Sequence, residues 1–171
     1  AVQAAADLLS TAKFPVILNG AGTILSKGGI EASRLLAEAL DAPVCVGYQH
    51  NDAFPGNHPL YAGPLGYNGS KAGMELIAKA DVVLALGTRL NPFSTLPGYG
   101  MDYWPTDAKI IQVDINPDRI GLTKTVTVGI VGDSAKVANS IVSKLADGAG
   151  DTGRSDRKNL IATTKSAWAQ E

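Results

Sequence analysis

The residues best suited to chemistry in this chain stand directly after short apolar runs that are typical of strands. They are Gly20, Ala21 and Gly22, then Gly87, Thr88 and Arg89, then Asp114 and Ile115, and finally Gly132, Asp133 and Ser134. Glycines let backbone amides approach a phosphate, an arginine can clamp a pyrophosphate, and a carboxylate can accept hydrogen bonds from a ribose. Because ligands of parallel sheets bind outside the carboxyl ends of the strands, these residues together predict a nucleotide-like cleft.

Each of these residues also has a purely structural interpretation. Gly20 and Gly22 can simply make a tight turn, since Leu25 stands where the third glycine of a dinucleotide fingerprint belongs. Arg89 can pair with a surface carboxylate, and Asp133 can act only as the cap of a following helix. The residues therefore leave a binding site and plain architecture both open.

No catalytic residue or metal ligand emerges from the remaining polar residues. His50 and His58 lie in a Gly/Pro-rich stretch near Asp52, but a zinc site normally needs three or four ligands at fixed spacing. We interpret them as loop histidines hydrogen-bonded to backbone. The single cysteine, Cys45, lies in an apolar run and is interpreted as a core residue rather than a nucleophile.

The elements that must position these residues alternate between helix and strand. Helices are predicted at 1–11, 28–40, 70–80 and 133–145, strands at 15–19, 43–47, 81–87, 109–114 and 125–130, and loops at 48–69 and 91–106. The second loop carries Phe93, Tyr99, Tyr103 and Trp104, aromatic residues that more often pack a loop or a subunit interface than stack on a ligand. The alternation predicts an α/β fold: a doubly wound, mostly parallel, Rossmann-like sheet of five or six strands with helices on both faces.

Composition excludes several classes of partner. The 171 residues are 45% hydrophobic and 18% charged, with a formal net charge of −1. Nucleic acids and acidic membranes attract strongly basic surfaces, and no apolar stretch approaches the ~20 residues that span a bilayer. We therefore expect no nucleic-acid or membrane partner. The single cysteine and the absence of a signal peptide lead us to expect a cytoplasmic location.

The composition also changes along the chain. We expect residues 1–147 to form one domain and residues 148–171 to form a linker and the start of the following domain, because Gly, Asp, Ser and Thr dominate from residue 148. Both ends of the sequence look like cuts through a longer polypeptide.

The order of the motifs resembles the central domain of the thiamine-diphosphate enzymes related to acetolactate synthase, oxalyl-CoA decarboxylase and pyruvate oxidase. The matching segments are 14–22, 42–44, 53–63, 80–89, 111–115 and 131–133. Within this family, segments 51–60 and 63–71 and the loop at 91–105 are most similar to the sulfoacetaldehyde acetyltransferase branch. Acetolactate synthase, glyoxylate carboligase and oxalyl-CoA decarboxylase are the alternatives inside the family.

The resemblance implies a parent enzyme of three domains, assembled as a homodimer or homotetramer. The flanking pyrimidine-binding and diphosphate-binding domains would hold thiamine diphosphate and Mg²⁺, so this domain alone is expected to be inactive. The parent would convert sulfoacetaldehyde and phosphate into acetyl phosphate and sulfite. The thiamine carbanion would be the nucleophile.

In relatives the central domain holds FAD, ADP or nothing, and the eleven strand-end residues match the positions of those contacts. FAD-binding relatives continue the Gly-x-Arg with a Phe-Asp-Asp-Arg-like run, whereas this chain has Leu90-Asn91-Pro92-Phe93. This departure argues against FAD and leaves ADP, another adenine nucleotide or a structural cleft open. A stand-alone nucleotide-binding module like the NAD-dependent deacylases fits less well, because those usually carry a zinc module and a catalytic histidine.

Overall fold

The structure is a computed structural model, which describes residues 1–149 and 154–171. Its strands are β1 (Pro15–Asn19), β2 (Val44–Val46), β3 (Tyr61–Pro64), β4 (Val82–Leu86), β5 (Lys109–Asp114) and β6 (Val128–Val131). They form one sheet in the order β3-β2-β1-β4-β5-β6, and every pairing is parallel. The predicted doubly wound α/β fold is confirmed, with six strands.

Seven α-helices pack around the sheet in the part of the chain that the structure describes. They are α1 (Val2–Thr11), α2 (Ala21–Leu25), α3 (Gly29–Leu40), α4 (Lys71–Ile77), α5 (Pro92–Thr95), α6 (Ser134–Val142) and α7 (Arg154–Trp168). Helices α1 and α3 contact α6, whereas α4 contacts α7 and β3. None of the helices in the described residues is both long and apolar enough to cross a membrane.

The centre of the sheet explains where a site can form. Strands β1 and β4 are completely buried and lie side by side, with Pro15 opposite Val82 and Asn19 opposite Leu86. The chain leaves β1 towards β2 on one side and later returns to β4 on the other. This reversal of strand order is the topological switch point, where open α/β sheets form a crevice at the carboxyl ends of the strands.

Local signals account for the element boundaries that the sequence predicted well. Ser70 caps α4, since its Oγ accepts a hydrogen bond from the amide of Gly73 at 3.1 Å. A short 3-10 helix, Pro117–Arg119, follows β5. Strand β5 has the predicted bounds.

The predictions for both loops were wrong in detail. The predicted loop at 48–69 contains β3, whose four residues include Gly63 and Pro64 and therefore carry little strand propensity. Proline is tolerated there because β3 is an edge strand. The predicted loop at 91–106 begins with α5, which Asn91 caps and Pro92 opens.

The other corrections concern β6 and the first turn. Strand β6 begins at Val128 rather than at residue 125. The turn after β1 continues directly into α2. Both differences concern the ends of elements, where β-branched residues and glycines are compatible with more than one backbone conformation.

The last helix packs back on this domain. Ile161 of α7 is buried, and the guanidinium of Arg157 donates hydrogen bonds to the carbonyls of Lys13 at 2.8 Å and Leu40 at 3.0 Å. Of the predicted linker at 148–156, residues 150–153 lie outside the described residues. The assignment of residues 148–171 to a linker and a following domain stays a prediction.

Candidate functional site at the carboxyl edge of the sheet

A cleft of about 510 Å³, which we call the strand-end cleft, opens beyond the carboxyl ends of β1, β4, β5 and β6. The predicted residues that line it are Ala21, Gly22, Gly87, Thr88, Arg89, Asp114, Ile115, Gly132, Asp133 and Ser134. Gly20 lies behind this lining, where an added Cβ would stand 2.6 Å from the Cβ of Thr88. The structure thus brings the strand-end residues together, as parallel strands require.

The two glycines after β1 are explained by contact between backbones. The amide of Gly20 donates to the carbonyl of Leu86 at 3.1 Å, and that of Gly22 to the carbonyl of Gly87 at 2.8 Å. A Cβ on Gly22 would lie 2.8 Å from the Cα of Gly87. These two amides are therefore engaged inside the protein, and the glycines allow the turn after β1 to approach the end of β4.

Gly87 is the tightest point of this contact. Its φ of +62° is the left-handed conformation that side chains rarely adopt, and its amide donates to the carbonyl of Val113 at 2.9 Å. A Cβ would lie 2.6 Å from the amide nitrogen of Thr23 and 2.7 Å from Oγ of Ser134. Conformation and packing both require glycine here.

The first turn of α6, which faces the same cleft, is already capped. Oδ1 of Asp133 accepts a hydrogen bond from the amide of Lys136 at 3.1 Å, and Oγ of Ser26 accepts one from the amide of Ala135 at 3.0 Å. The Lys136 amide, followed by the Ser26 hydroxyl, lowers the pKa of Asp133. Two amides that could have held an anion at this helix terminus therefore have internal acceptors.

Asp114 likewise serves its own turn. Its Oδ1 accepts a hydrogen bond from the amide of Asn116 at 2.9 Å, and the side chain of Asn116 accepts one from the amide of Asp118 at 3.0 Å. These bonds lead the chain from β5 into the 3-10 helix. Ile115, the next residue along the chain, is 69% exposed and also lines the cleft.

Two arginines at the cleft have guanidinium groups that remain available. Arg89 and Arg119 are both exposed and line the cleft. Within residues 1–149 and 154–171 neither guanidinium forms a hydrogen bond or salt bridge. The sequence prediction missed Arg119, because it follows β5 by five residues and so did not stand at the strand end itself.

The other lining residues that the sequence did not place at the cleft come from the short helices α2 and α5, from their caps, and from the loop after β2. They are Leu25, Ser26, His50, Asn91 and Ser94. No local pattern marks them. The only usable signal was that loops after neighbouring parallel strands meet at one edge.

The two histidines lie in different surroundings. Nδ1 of His58 accepts the amide hydrogen of Leu60 at 3.2 Å, so its Nε2 carries the proton and faces Oε1 of Glu38 at 3.1 Å. This contact is the main cause of the lowered pKa of Glu38. His50 lies at the cleft instead. Among the described residues, no three His, Cys, Asp or Glu side chains cluster as metal ligands.

Two further interpretations from the sequence are confirmed. Cys45 is fully buried, and burial raises the pKa of its thiol to about 12, so it is a core residue and a poor nucleophile at neutral pH. Tyr103 packs the long loop, with its hydroxyl accepting the amide hydrogen of Gly66 at 3.1 Å. Burial raises the pKa of Tyr103 to about 12.

Comparison with known proteins gives one consistent result. The family described as thiamine pyrophosphate enzyme, central domain, matches residues 2–141. The chain is 77% identical to a sulfoacetaldehyde acetyltransferase from Roseovarius nubinhibens over 171 residues, which is all of this chain and 28% of that protein. It is 34% identical to an acetolactate synthase from Mycobacterium leprae over 144 residues, which is 84% of this chain and 22% of that protein.

The fold also matches a solved structure. This is described as a thiamin diphosphate-dependent enzyme isolated from Mycobacterium smegmatis, with a TM-score of 0.68 and 26% identity. The match covers 85% of this chain and 27% of that one. The chain therefore spans between a fifth and a third of the length of the proteins it resembles.

Proposed function

The chain belongs to the thiamine pyrophosphate enzyme central-domain family, and from this premise we propose that it is the central domain of a sulfoacetaldehyde acetyltransferase. The supporting observation is the 77% identity that extends over the whole chain, against 34% for an acetolactate synthase. The parent would convert sulfoacetaldehyde and phosphate into acetyl phosphate and sulfite. Acetolactate synthase, glyoxylate carboligase and oxalyl-CoA decarboxylase activities are the alternatives that the test below separates.

The residues of this domain do not fit the thiamine cofactor. A diphosphate held through Mg²⁺ needs several oxygen ligands around the cation, and no such cluster of acidic side chains occurs in the described part of the chain. When bound, the cofactor supplies a carbanion nucleophile. We place it and Mg²⁺ on the flanking pyrimidine-binding and diphosphate-binding domains of the parent.

The role proposed for this domain is to space and join those two domains. The strand-end cleft is then a consequence of the fold. Its support is the internal use of the amides of Gly20, Gly22 and Gly87 and of the first turn of α6. A phosphate at these positions would have to displace a backbone or capping hydrogen bond.

A second candidate role is the binding of ADP or another adenine nucleotide in the same cleft. The observation that favours it is the pair of exposed guanidinium groups of Arg89 and Arg119, since two arginines can hold a pyrophosphate. FAD is not proposed, because the loop at 90–93 lacks the arginine that FAD-binding relatives carry. In this role the eleven strand-end residues would form the ligand site.

The parent is proposed to be a cytoplasmic homodimer or homotetramer joined mainly through its outer domains. This chain by itself is then expected to be monomeric. Light scattering at micromolar concentration measures this directly, and a stable dimer of the 171-residue chain would contradict the expectation.

The activity is tested on the full-length protein that contains this chain. Purified protein with thiamine diphosphate and Mg²⁺ is given sulfoacetaldehyde with and without phosphate, and sulfite and acetyl phosphate are measured. We expect both products in equal amounts, and only when phosphate is present. Turnover of pyruvate to acetolactate, of glyoxylate, or of oxalyl-CoA without turnover of sulfoacetaldehyde would overturn the assignment. The 171-residue chain is the matched blank.

A further inference from the structure

A second region of the carboxyl edge carries exposed aromatic rings. Tyr67, Phe93 and Tyr99 are 52%, 59% and 56% exposed, and Tyr48 is partly exposed beside them. They lie on the loops that follow β2, β3 and β4, and we call these four residues the aromatic face. Large exposed aromatic side chains that are grouped together mark interaction surfaces more often than they mark ordinary protein surface.

The loop segments that carry the aromatic face contain no charged residue. Residues 48–51, 64–70 and 91–100 include no Asp, Glu, Lys or Arg, although 18% of the whole chain is charged. Ordinary surface loops are rich in such residues, whereas the centres of protein interfaces are depleted of them. The composition of these loops therefore resembles an interface that water does not reach.

The rings are held in place by contacts among the loops. Tyr48 stacks on Phe93 with centroids 5.8 Å apart and meets Tyr67 edge-on at 5.9 Å. The amide of Tyr67 donates to the carbonyl of Phe93 at 2.9 Å, and that of Tyr48 to Oγ of Ser94 at 3.1 Å. A surface that is organised before binding loses little conformational entropy when it binds.

Backbone strain is concentrated in the same loops. Gln49, Asn68 and Tyr99 have φ of 66°, 52° and 53°, the left-handed conformation that costs free energy in residues with a side chain. Gly66 is fixed by close approach, since an added Cβ would meet the Phe93 carbonyl. Tyr99 meets Trp168 and its hydroxyl donates to the carbonyl of Gly69 at 2.9 Å, yet Tyr67, Phe93 and Tyr99 all stay more than half exposed.

We propose that the aromatic face is the surface on which the domain following residue 171 docks in the full-length protein. Helix α7 ends beside this face, because Trp168 contacts the ring of Tyr99 edge-on with centroids 6.4 Å apart. The side chain of Glu171 is held there by Nζ of Lys71 at 2.6 Å. A polypeptide that continues from this point starts next to the aromatic face.

The relatives are long enough to contain a further domain that could occupy the aromatic face. The chain covers only 28% of the acetyltransferase it resembles at 77% identity, so most of that protein lies outside the matched segment. The docking partner is expected to present an apolar, uncharged surface, since a charged one would be desolvated without a counter-charge. The proposal rests on the proposed function in one respect, namely that the parent has a further domain after this one.

Cysteine labelling tests the proposal without any substrate. Cys45 is the only cysteine of the chain and is fully buried, so a new surface cysteine can be labelled selectively. Phe93→Cys reports on the aromatic face. Val131→Cys is the matched control, because Val131 is also 59% exposed but lies at the end of β6, on the opposite edge of the sheet. Maleimide labelling of each site is followed by peptide mass spectrometry.

We expect Phe93→Cys to label roughly tenfold more slowly in the full-length protein than in the 171-residue chain, because buried groups react only through local opening. Val131→Cys should label at a similar rate in both. An unchanged rate at Phe93→Cys, or equal slowing at both positions, would overturn the proposal. Slow labelling already in the 171-residue chain, with a dimer in light scattering, would make a second copy the occupant and would overturn it too.

The two proposals fail separately. A full-length protein that protects Phe93→Cys but does not release sulfite keeps the docking surface and rejects the assigned activity. If the full-length protein releases sulfite while Phe93→Cys stays fully reactive, the assigned activity stands and the docking surface is rejected.

Discussion

The strand-end cleft and the aromatic face share one edge of one sheet, yet they differ in how far the chain itself accounts for them. In the cleft, most polar backbone groups next to the glycines are bonded to other parts of the chain, and each glycine has a neighbour that a Cβ would strike. On the aromatic face, the rings contact one another and, at Tyr99, the ring of Trp168, yet Tyr67, Phe93 and Tyr99 stay more than half exposed. Internal packing explains the first region, whereas the second requires a partner.

A motif with the composition of a ligand site can therefore have its hydrogen-bonding groups occupied by other parts of the same fold. A glycine turn beside a buried strand suits both a phosphate and a close backbone contact. Only the hydrogen-bond partners decide between the two. The following experiments either break this contrast or sharpen it.

The largest loss of stability is expected from Gly87→Ala. The new Cβ would collide with the backbone of Thr23 and with Ser134, and the φ of +62° would be strained. We expect a loss of about 3 kcal/mol in the free energy of unfolding by urea, the sum of overpacking and left-handed strain.

Gly121→Ala is the matched control for that substitution. Gly121 also has a positive φ, of +74°, but nothing lies within 4 Å of an added Cβ. It should lose only about 1 kcal/mol, from conformation alone. Equal losses at the two glycines would show that close packing beneath the cleft contributes nothing, and the contrast with the aromatic face would then disappear.

A smaller effect is expected from Asp133→Ala, which removes the cap of α6. The loss should be about 1 kcal/mol, whereas Asp133→Asn, which keeps a capping oxygen, should lose only a few tenths. Urea unfolding of both variants at pH 7 measures this. If Asp133→Ala lost no more free energy of unfolding than Asp133→Asn, the cap would contribute nothing and the carboxylate would be free for a ligand.

The contribution of the Asp133 cap to the stability of the fold depends on pH, and its direction follows from the shift in pKa. Because the Lys136 amide lowers the pKa of Asp133 in the folded protein, the carboxylate stabilises the fold above its ordinary pKa of about 3.9. This contribution is lost as the pH falls through the lower folded pKa. The stability difference between the native chain and Asp133→Asn should therefore shrink below about pH 4. A difference that grows as the pH falls would contradict the assigned hydrogen bond.

The smallest effect is expected from Arg89→Ala and Arg119→Ala. Both side chains are exposed and without recorded partners in the described residues, so stability should change by less than about 0.5 kcal/mol. A loss above about 1 kcal/mol in urea unfolding would show that the arginines serve the fold, as Arg157 does.

The sequence predicted the sheet better than it predicted the use of the site. Buried strands such as Val82–Leu86 are continuous apolar runs, and their carboxyl ends must meet, so ten of the eleven nominated residues line one cleft. The partner of the Gly22 amide is a carbonyl 65 residues away along the chain. No local pattern encodes such a contact, so the sequence left the role of the turn open.

The contacts of the aromatic face could not be predicted from the sequence either. Phe93 and Tyr99 were expected to pack a loop or an interface. The contacts of Tyr48 with Phe93 and Tyr67 depend on the loop after β3, a strand that the sequence did not place. Arg119 was missed because it reaches the cleft from a 3-10 helix rather than from a strand end. Tertiary contacts that join separate loops decide both cases.

The central claim is that the strand-end cleft belongs to the architecture of a joining domain, and a thermal-shift titration of this chain tests it most directly. ADP, ATP, FAD, NAD and coenzyme A are each added to the native chain and to Arg89→Ala. We expect no change in Tm with any of them. A ligand that binds only the folded state at a hundredfold excess over Kd would raise Tm by roughly 5–10 °C. Such a rise with one adenine nucleotide, abolished by Arg89→Ala, would contradict the account and make the cleft a cofactor site.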